Sequence, residues 1–443
     1  MKIALPIETK VREFRGKLWL ALNLVENGHE VVIGNISSIN NGLDTIEPHI
    51  YFGDSAYYRP NREELYRQIQ ESGGTVIVID TEGGVFRSAE AYKKRLSPKI
   101  LRYVDYFFAW GERPAEIARQ ASGLQDERVR VTGNPRFDLL QPDLREIYRT
   151  SSNNYRNRYG KYILVNTNFT YTNPFDKGNI ETEDDDKIAY QEDLWKQFTN
   201  AIESLANDIS DYNYIIRPHP SEDHDWYRNE FRPYDNVFVR YEGDVRSWIY
   251  EAIAVIHNSC TTGIESALMN TPVFSYRPVQ NQDYDLELPN IVSAEVTEYS
   301  KLQERILQTS VEESGYEMRE DQKERLQQYF DNVDKRSVEQ ITSVIETQND
   351  LAQSSVEFPS KVPSKQLVKR VSTALIGIQT TEEILQRLTH RDYSYMRQKF
   401  PGLSIEEVRE EIRQFQNIAQ APAISVSKNR ALGDVFTLTH DSN

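Results

Sequence analysis

Short apolar segments alternate with segments of helical periodicity along most of this chain. Residues 2–7, 30–34 and 75–80 are short apolar runs of strand character. Between them, residues 16–26 and 62–72 carry apolar side chains at the spacing of an amphipathic helix. This alternation predicts a parallel sheet covered by helices on both faces. A second series of the same kind begins at residue 162, so the sequence predicts two successive α/β domains.

Composition limits the classes of protein that such domains can belong to. The chain has 443 residues, 38% of them hydrophobic, and a formal net charge of −16, which argues against general nucleic-acid binding. Cys260 is the single cysteine, which excludes an intramolecular disulfide and fits a reducing cytoplasm. The first residues lack the long apolar core of a signal peptide, and no run approaches the ~18 apolar residues of a membrane span. We therefore expect a cytoplasmic protein whose membrane contact, if any, is peripheral.

Changes in texture predict the domain boundaries. Residues 142–161 are polar and are expected to form a linker, which gives domains at 1–141 and 142–349. Residues 170–190 are polar and acidic and are expected to form a loop or lid. From 350 onward we expect a helical extension with helices at 365–378 and 405–418.

The helix expected at 365–378 sets basic residues beside an apolar stripe. Lys365, Lys369 and Arg370 lie beside Leu367 and Val371 in the sequence. Such a helix can lie on an anionic membrane or pack across the two domains.

Two polar motifs follow apolar strands in the second series. Arg217-Pro218-His219-Pro220 comes directly after a Tyr-Ile-Ile run, and residues 257–265 come after an Ala-Val-Ile run. Open α/β sheets bind ligands at the carboxyl ends of their parallel strands. A cation, an imidazole and a hydroxyl-rich turn at these ends predict a site for the phosphate or diphosphate of a nucleotide.

Each polar group in these motifs suits one part of such a ligand. The prolines stiffen the turn around His219, which can then donate to a leaving phosphate, and Arg217 adds positive charge. Hydroxyls and a glycine at the start of a helix favour an anion. The candidate residues of the second motif are Ser259, Thr261, Thr262, Gly263 and, for ribose hydroxyls, Glu265. The alternative is that Thr262 caps a helix, Glu265 is a first-turn acid and His219 is structural.

The first series offers carboxylates at two strand ends. Glu8 follows the first strand, and Asp80 and Glu82 follow the strand at 75–80. Either of the latter two can serve as a general base toward an acceptor hydroxyl, unless they are ordinary loop acids. Arg15 and Lys17 can bring positive charge to a phosphate or an acidic acceptor. No ligand cluster of metal-site spacing is visible, so no metal and no cofactor are expected.

With these residues laid out, the chain resembles GT-B surface-carbohydrate biosynthesis proteins. The relatives in question are capsule Kdo transferases, bacterial sialyl- and polysialyltransferases, and CDP-glycerol glycerophosphotransferases. The resemblance covers about residues 1–345. It rests on five segments in order, at residues 7–17, 80–84, 131–138, 217–222 and 257–265.

The resemblance implies a fold, an activity and residue roles. It implies two Rossmann-like domains facing a cleft, an acceptor-side domain at 1–141 and a nucleotide-donor domain at 142–349. It implies metal-independent transfer of a sugar from a nucleotide-activated donor, with CMP favoured, to a surface glycan or lipid-linked acceptor. His219-Pro220 and Ser259 with Thr261 or Thr262 would contact the donor phosphate, and Glu82, with Asp80 as its rival, would be the base.

Three other functions remain open at this point. A UDP-sugar 2-epimerase-like isomerase shares a Val-Thr-Gly-Asn segment and a His-Pro pair. A polyol-phosphate transferase would use the same phosphate site. A non-catalytic binding protein could keep the fold and bind nucleotide sugars without turning them over.

Overall fold

The computed structural model describes residues 1–121, 124–175, 185–312, 315–331, 335–347, 356–358 and 399–441. The chain divides into two compact units. The first contains residues 1–84, 88–139 and the described residues from 327 onward, and the second contains residues 85–87 and 140–326. The division therefore differs from the predicted one, since the chain from residue 327 belongs with the first unit and not with the second.

The described strands follow the predicted alternation. They are β1 (Lys2–Ile7), β2 (Glu30–Asn35), β3 (Ile50–Gly53), β4 (Thr75–Val78), β5 (Tyr106–Ala109), β6 (Val129–Val131), β7 (Tyr162–Asn166), β8 (Asn213–Arg217), β9 (Val237–Val239), β10 (Ala254–His257), β11 (Val273–Tyr276), β12 (Ala294–Val296), β13 (Ile424–Lys428) and β14 (Val435–His440).

Helices lie between these strands and after them. They are α1 (Lys10–Glu26), α2 (Ile36–Asn41), α3 (Leu43–Ile46), α4 (Pro60–Glu71), α5 (Ala89–Lys93), α6 (Pro98–Leu101), α7 (Glu112–Arg119), α8 (Pro135–Asp138), α9 (Arg149–Tyr159), α10 (Asp185–Asp208), α11 (His224–Glu230), α12 (Val245–Ile249), α13 (Thr262–Leu268), α14 (Glu287–Ile291), α15 (Tyr299–Glu312), α16 (Glu320–Tyr329), α17 (Ser337–Thr347) and α18 (Ile405–Ala419). Short 3-10 turns occur at Asp126–Arg128 and Arg145–Tyr148.

The first unit is built on a sheet with the strand order β13-β14-β2-β1-β3-β4-β5-β6 among the described residues. Strands β1 to β6 are parallel, with Ile3 opposite both Val31 and Ile50. Most residues of these strands are apolar, as expected where helices cover both faces of a sheet. The carboxyl ends of β1, β3 and β4 consequently lie at one edge of the sheet.

The second unit is built on a parallel sheet with the order β12-β11-β10-β7-β8-β9 among the described residues. Val165 in its centre lies opposite Ile216 on one side and Ile256 on the other. From the centre of the sheet outward, β7, β8 and β9 follow one another to one edge, and β10, β11 and β12 follow one another to the other edge. The strand order therefore reverses between β7 and β10, which is the position where doubly wound sheets bind ligands.

The described C-terminal part of the chain completes the first unit. Strand β14 pairs antiparallel with β2, and β13 pairs antiparallel with β14. Helix α18 lies against α1, where the rings of Phe415 and Trp19 stack with centroids 5.4 Å apart. The expected helix at 405–418 is present as α18, but the expectation of a purely helical extension is wrong for β13 and β14. The helix expected at 365–378 lies outside the described residues, and so does the basic residue that precedes it, Lys361.

The expected linker at 142–161 is also wrong, because it contains α9. Only Ser152 and Tyr159 of this helix are buried, so its sequence shows almost no apolar stripe. Helix α9 is held instead by aromatic contact, with the rings of Tyr155 and Trp248 stacked 3.7 Å apart. The acidic loop expected at 170–190 is described only to residue 175, and α10 begins at Asp185. No helix in the described ranges has both the length and the apolar character that crossing a bilayer demands.

We expect the contact between α1 and α18 to depend measurably on Arg15 and Glu411. The guanidinium of Arg15 donates to both carboxylate oxygens of Glu411 at 2.8 Å, and both side chains are largely buried. Bidentate, partly desolvated pairs are stronger than exposed ones. A double-mutant cycle with Arg15→Met and Glu411→Gln should give a coupling of about 1–2 kcal/mol in hydrogen-exchange protection of α18. The exposed pair Arg67 and Glu71 is the matched control and should give less than about 0.5 kcal/mol; equal couplings would contradict the expectation.

Candidate functional site

Three loops meet at the carboxyl edge of the second sheet. They follow β7, β8 and β10, which are neighbours in the order β10-β7-β8. We call them the β7 loop (167–169), the imidazole loop (218–222) and the hydroxyl loop (258–261). The two motifs predicted from the sequence lie in the outer two loops, on either side of β7.

The imidazole loop fixes the orientation of His219. The backbone N–H of Ser221 donates to His219 Nδ1 at 3.2 Å. A ring nitrogen that accepts a hydrogen bond carries no proton, so neutral His219 carries its proton on Nε2. The imidazole therefore presents an N–H donor on the side of the ring away from its own loop. The side chain is half-buried.

A buried carboxylate ties the imidazole loop to the β7 loop. Glu222 is fully buried, and its Oε1 accepts from the backbone N–H groups of His219 and Phe169, both at 3.1 Å. Thr167 Oγ1 lies 3.0 Å from both carboxylate oxygens, and the Tyr227 hydroxyl donates at 2.5 Å. Burial, only partly offset by these bonds, raises the pKa of Glu222 to about 7. No predicted role in the site had been assigned to Glu222 from the sequence.

Asparagine side chains connect the β7 loop to the hydroxyl loop. The backbone N–H of Asn168 donates to Asn258 Oδ1 at 2.9 Å, and Asn258 Nδ2 donates back to the Asn168 carbonyl at 3.3 Å. Asn168 Nδ2 also approaches the carbonyl of Ser259 at 3.4 Å. The three loops are therefore one hydrogen-bonded assembly. His219 and Thr261 lie on the two outer loops of this assembly, with the β7 loop between them.

Ser259 in the hydroxyl loop is buried, whereas Thr261 and the adjacent Thr262 are half-buried. Ser259 has a positive φ of 59° and a buried side chain, whose Oγ accepts from Asn290 Nδ2 at 2.9 Å. Its hydroxyl is thus engaged within the protein, which differs from the predicted contact with a phosphate. Thr261 and Thr262 are half-buried at the start of α13. The hydroxyl oxygen of Thr262 is itself buried, so Thr261 is the member of the predicted hydroxyl set that is placed to contact a ligand.

The imidazole of His257 supports the hydroxyl loop from inside. The ring is fully buried; its Nε2 lies 2.8 Å from Ser293 Oγ, and its Nδ1 accepts from the backbone N–H of Cys260 at 3.2 Å. Burial and the positive charge of Arg277 lower the pKa of His257 to about 3. A Cβ on Gly263 would lie 2.4 Å from His257 Nε2. A glycine is therefore required at position 263 because the His257 ring occupies the space that a side chain would need.

Two charged residues of the motifs, Arg217 and Glu265, interact with groups of the protein itself. Arg217 donates to the backbone carbonyls of Tyr241, Glu242 and Gly243 at 2.7–3.3 Å, and burial lowers its pKa. Its guanidinium stabilises the loop after β9, so the predicted contact with a donor phosphate does not match this geometry. Glu265 is buried in the first turn of α13, where its charge acts on Arg246. Pro220 stiffens the imidazole loop, as expected.

Two carboxylates of the first unit lie where β4 ends, and they differ in accessibility. Asp80 is 1% exposed, pairs with Arg95 at 2.9 Å and accepts from the backbone N–H of Glu82 at 3.0 Å. The Glu82 side chain is 41% exposed and pairs with Arg12 at 2.5 Å. Burial acts to raise the pKa of Glu82, but the charges of Arg12, Arg136 and Arg95 lower it below its ordinary value. Of the two predicted bases, Glu82 is the one that a substrate can reach.

The predicted acceptor contacts of the first unit have protein partners. Glu8 pairs with Lys399 at 3.0 Å, and Arg15 pairs with Glu411 in α18. Arg15 is therefore committed to the C-terminal part of its own unit, which differs from the predicted contact with a substrate. Lys17 pairs with Glu13 at 2.7 Å, and its amino group also donates to the carbonyl of Pro6.

A small cavity lies beside Lys17 within the first unit. Its volume is about 50 Å³, enough for a few water molecules. Side chains of β1, α1 and β3 and the start of α8 line it, among them Leu5, Glu13, Lys17, Phe52 and Arg136. Within the described residues there is no group of three or more His, Cys, Asp or Glu side chains placed to hold a metal ion.

Comparison with known proteins shows the fold. No protein-family model matches the sequence, and no curated protein matches it. Among solved structures, UDP-GlcNAc 2-epimerase of Methanocaldococcus jannaschii matches with a TM-score of 0.52 at 13% identity, covering 78% of this chain and 99% of that chain. UDP-GlcNAc 2-epimerase of Neisseria meningitidis bound to UDP-GlcNAc matches at 0.50 and 13%, covering 78% and 100%. A variant of the wall teichoic acid polymerase TagF matches at 0.50 and 12%, covering 78% and 87%. The predicted α/β fold with two Rossmann-like units of GT-B type is confirmed.

Proposed function

We propose that this chain is a glycosyltransferase that takes a sugar from a nucleotide-activated donor, with a CMP-sugar favoured. The acceptor is a surface glycan or a lipid-linked precursor of one. The reaction takes place in the cytoplasm, and any contact with the membrane is peripheral. The donor phosphate binds at the carboxyl edge of the second unit.

One observation carries this proposal, namely the joining of the imidazole and hydroxyl loops through the β7 loop. In this proposal His219 donates an N–H from one side, and Thr261 donates its hydroxyl from the other. The hydroxyl loop and the β7 loop flank the reversal of strand order, which is the preferred ligand position in such sheets, and the imidazole loop follows the next strand, β8. Fixed donors of this kind stabilise the charge that develops on a departing phosphate.

The first unit supplies the acceptor chemistry in this proposal. Glu82 is the proposed general base; its lowered pKa keeps it ionised at neutral pH but also makes its carboxylate a weaker base. Asp80 does not reach the substrate; it accepts the backbone N–H of Glu82 and so orients the base. Lys17, which lines the cavity of this unit, is the proposed contact for the acceptor.

A second function is supported by the comparisons. Two of the matching structures are UDP-GlcNAc 2-epimerases, and an isomerase would use the same donor site with UDP in place of CMP. The TagF match supports a polyol-phosphate transferase in the same way. The reactions differ in their products, so product analysis separates them.

The test is nucleotide binding to the full-length protein, followed by turnover. Titration calorimetry with CMP, CDP and UDP should show binding, and CMP should bind most tightly. His219→Ala removes one hydrogen bond to a charged group, worth about 1.5–3 kcal/mol, so affinity should fall about ten- to hundredfold. Radiolabelled nucleotide sugars then distinguish transfer to an acceptor from epimerisation.

The control for His219→Ala is His440→Ala. His440 is exposed at the end of β14 in the first unit. Its removal should leave nucleotide affinity unchanged. Equal affinities for the wild type and His219→Ala would refute the assignment of the donor site, and epimerisation without transfer would favour the isomerase.

A further inference from the structure

We propose that Glu222 is a positioning residue of the donor site, which orients the His219 imidazole relative to the hydroxyl loop. The inference rests on the proposed function only for the identity of the ligand as a nucleotide. Glu222 is fully buried, so it acts through its neighbours and does not touch the donor.

The hydrogen bonds of Glu222 give it this role. One carboxylate oxygen, Oε1, accepts from the backbone N–H of His219 and from that of Phe169. These two residues belong to loops that follow different strands, β8 and β7. A single atom therefore fixes the distance between the imidazole loop and the β7 loop.

The other carboxylate oxygen holds the side chain of Glu222 in place. Oε2 accepts from the Tyr227 hydroxyl at 2.5 Å and lies 3.0 Å from Thr167 Oγ1. Tyr227 is buried in α11, so the carboxylate is anchored to a helix as well as to two loops. Because the carboxylate is anchored, the two backbone N–H groups that donate to it are held at fixed positions.

The β7 loop carries the geometry on to the hydroxyl loop. Asn168 precedes Phe169 and exchanges two hydrogen bonds with Asn258. Hydrogen bonds therefore connect His219 to Asn258 through Glu222 and the β7 loop. None of the connecting residues is exposed. Loss of the carboxylate would leave two N–H groups without their acceptor, at a cost of about 1–3 kcal/mol each where they are buried, so the imidazole loop would move.

Glutamine and leucine at position 222 separate positioning from mere bulk. In Glu222→Gln the amide oxygen can still accept from both N–H groups, while the amide nitrogen donates to the two hydroxyls. Glu222→Leu keeps the volume and removes every acceptor. We expect Leu to weaken nucleotide binding at least tenfold, Gln to weaken it less than about threefold, and Leu to add less than threefold in a His219→Ala background.

A spectroscopic readout tests the positioning without any nucleotide. In full-length protein with 15N-labelled histidine, His219 of the wild type and of Glu222→Gln should show the single tautomer with the proton on Nε2. Glu222→Leu should show averaging of the two tautomers. Glu222→Asp, one methylene shorter, serves if the Leu variant does not fold, and it should also show averaging.

The two experiments fail in different ways. If the Leu and Asp variants keep the wild-type His219 spectrum, Glu222 does not position the imidazole, whatever the ligand is. If the spectra change as expected but CMP, CDP and UDP do not bind to the wild type, the proposed function fails and the positioning role stands.

Discussion

Gly263→Ala should destabilise the second unit by about 3 kcal/mol, although helix propensity alone predicts a gain of about 1 kcal/mol. The added methyl group would lie 2.4 Å from Nε2 and 2.8 Å from Cε1 of the His257 ring. The ring is bonded on one side to Ser293 and on the other to the Cys260 N–H, so it cannot turn away without breaking one of these bonds. Overpacking of a core costs about 1–3 kcal/mol, and a lost buried hydrogen bond adds to that cost. Hydrogen-exchange protection of the β10 amides measures the loss.

The matched control for this substitution removes the obstructing ring. In a His257→Ala background the three atoms nearest to the added methyl group are gone, so the same change should cost nothing and gain up to about 1 kcal/mol. The sign of the effect therefore reverses between the two backgrounds. A stabilising effect of Gly263→Ala in the wild type would show that the ring yields easily and that the glycine is there for another reason.

The local parts of the fold could be predicted from the sequence, and the distant pairings could not. Alternating apolar runs and helical periodicity located β1, β2, β4, β7, β8 and β10 to within a few residues, because these signals are local. Strand β14 pairs with β2 across about 400 residues of sequence. From Phe436 onward its residues alternate between apolar and polar, which is the pattern of an antiparallel strand with one solvated face, but nothing local specifies the partner. Helix α9 was missed because its stabilising contact is a stacked tyrosine, with no apolar stripe to see.

The location of the candidate site could likewise be predicted better than the contacts in it. Polar clusters after apolar runs placed His219 and Thr261 on loops at the same edge of one sheet, because carboxyl ends of parallel strands share an edge. The partners of Arg217 and Arg15 depend on tertiary packing, which offers one of them three carbonyls and the other a carboxylate of α18. Prediction from sequence therefore assigns such arginines to ligands too often, because a buried guanidinium often binds backbone carbonyls.

The roles of two supporting residues, Asn168 and Glu222, could have been predicted from their positions in the sequence. Asn168 belongs to the polar cluster Asn166-Thr167-Asn168 directly after β7, and this is the same pattern that identified the other two loops. Glu222 follows His219 by three residues, within a turn that brings its carboxylate back to the His219 N–H. An acid at that spacing from a strand-end turn is a candidate for holding the turn, and here it holds two loops.

The stability of the second unit should fall as the pH drops below about 6.5, and His257 should account for about one proton of that dependence. Burial and the charge of Arg277 lower the pKa of His257 from 6.5 to about 3. Between these two pH values the unfolded chain binds a proton that the folded state does not, so acid favours unfolding. The stability is complete above pH 6.5 and is lost by about 1.4 kcal/mol per pH unit down to about pH 3. Between pH 6.5 and 5.0 the loss from this group is about 2 kcal/mol.

Comparison of two histidine variants isolates this contribution from that of the carboxylates. His257→Gln removes the titrating group, so its protection free energies in β10 should fall about 2 kcal/mol less than those of the wild type over this pH interval, whatever its stability at pH 7.5. His440→Gln changes an exposed imidazole and should keep the wild-type dependence on pH. If His257→Gln and the wild type lost stability in parallel, the imidazole would have to take up its proton inside the folded unit. The bond from the Cys260 N–H would then break, and the hydroxyl loop would lose its support at the acid end of the range.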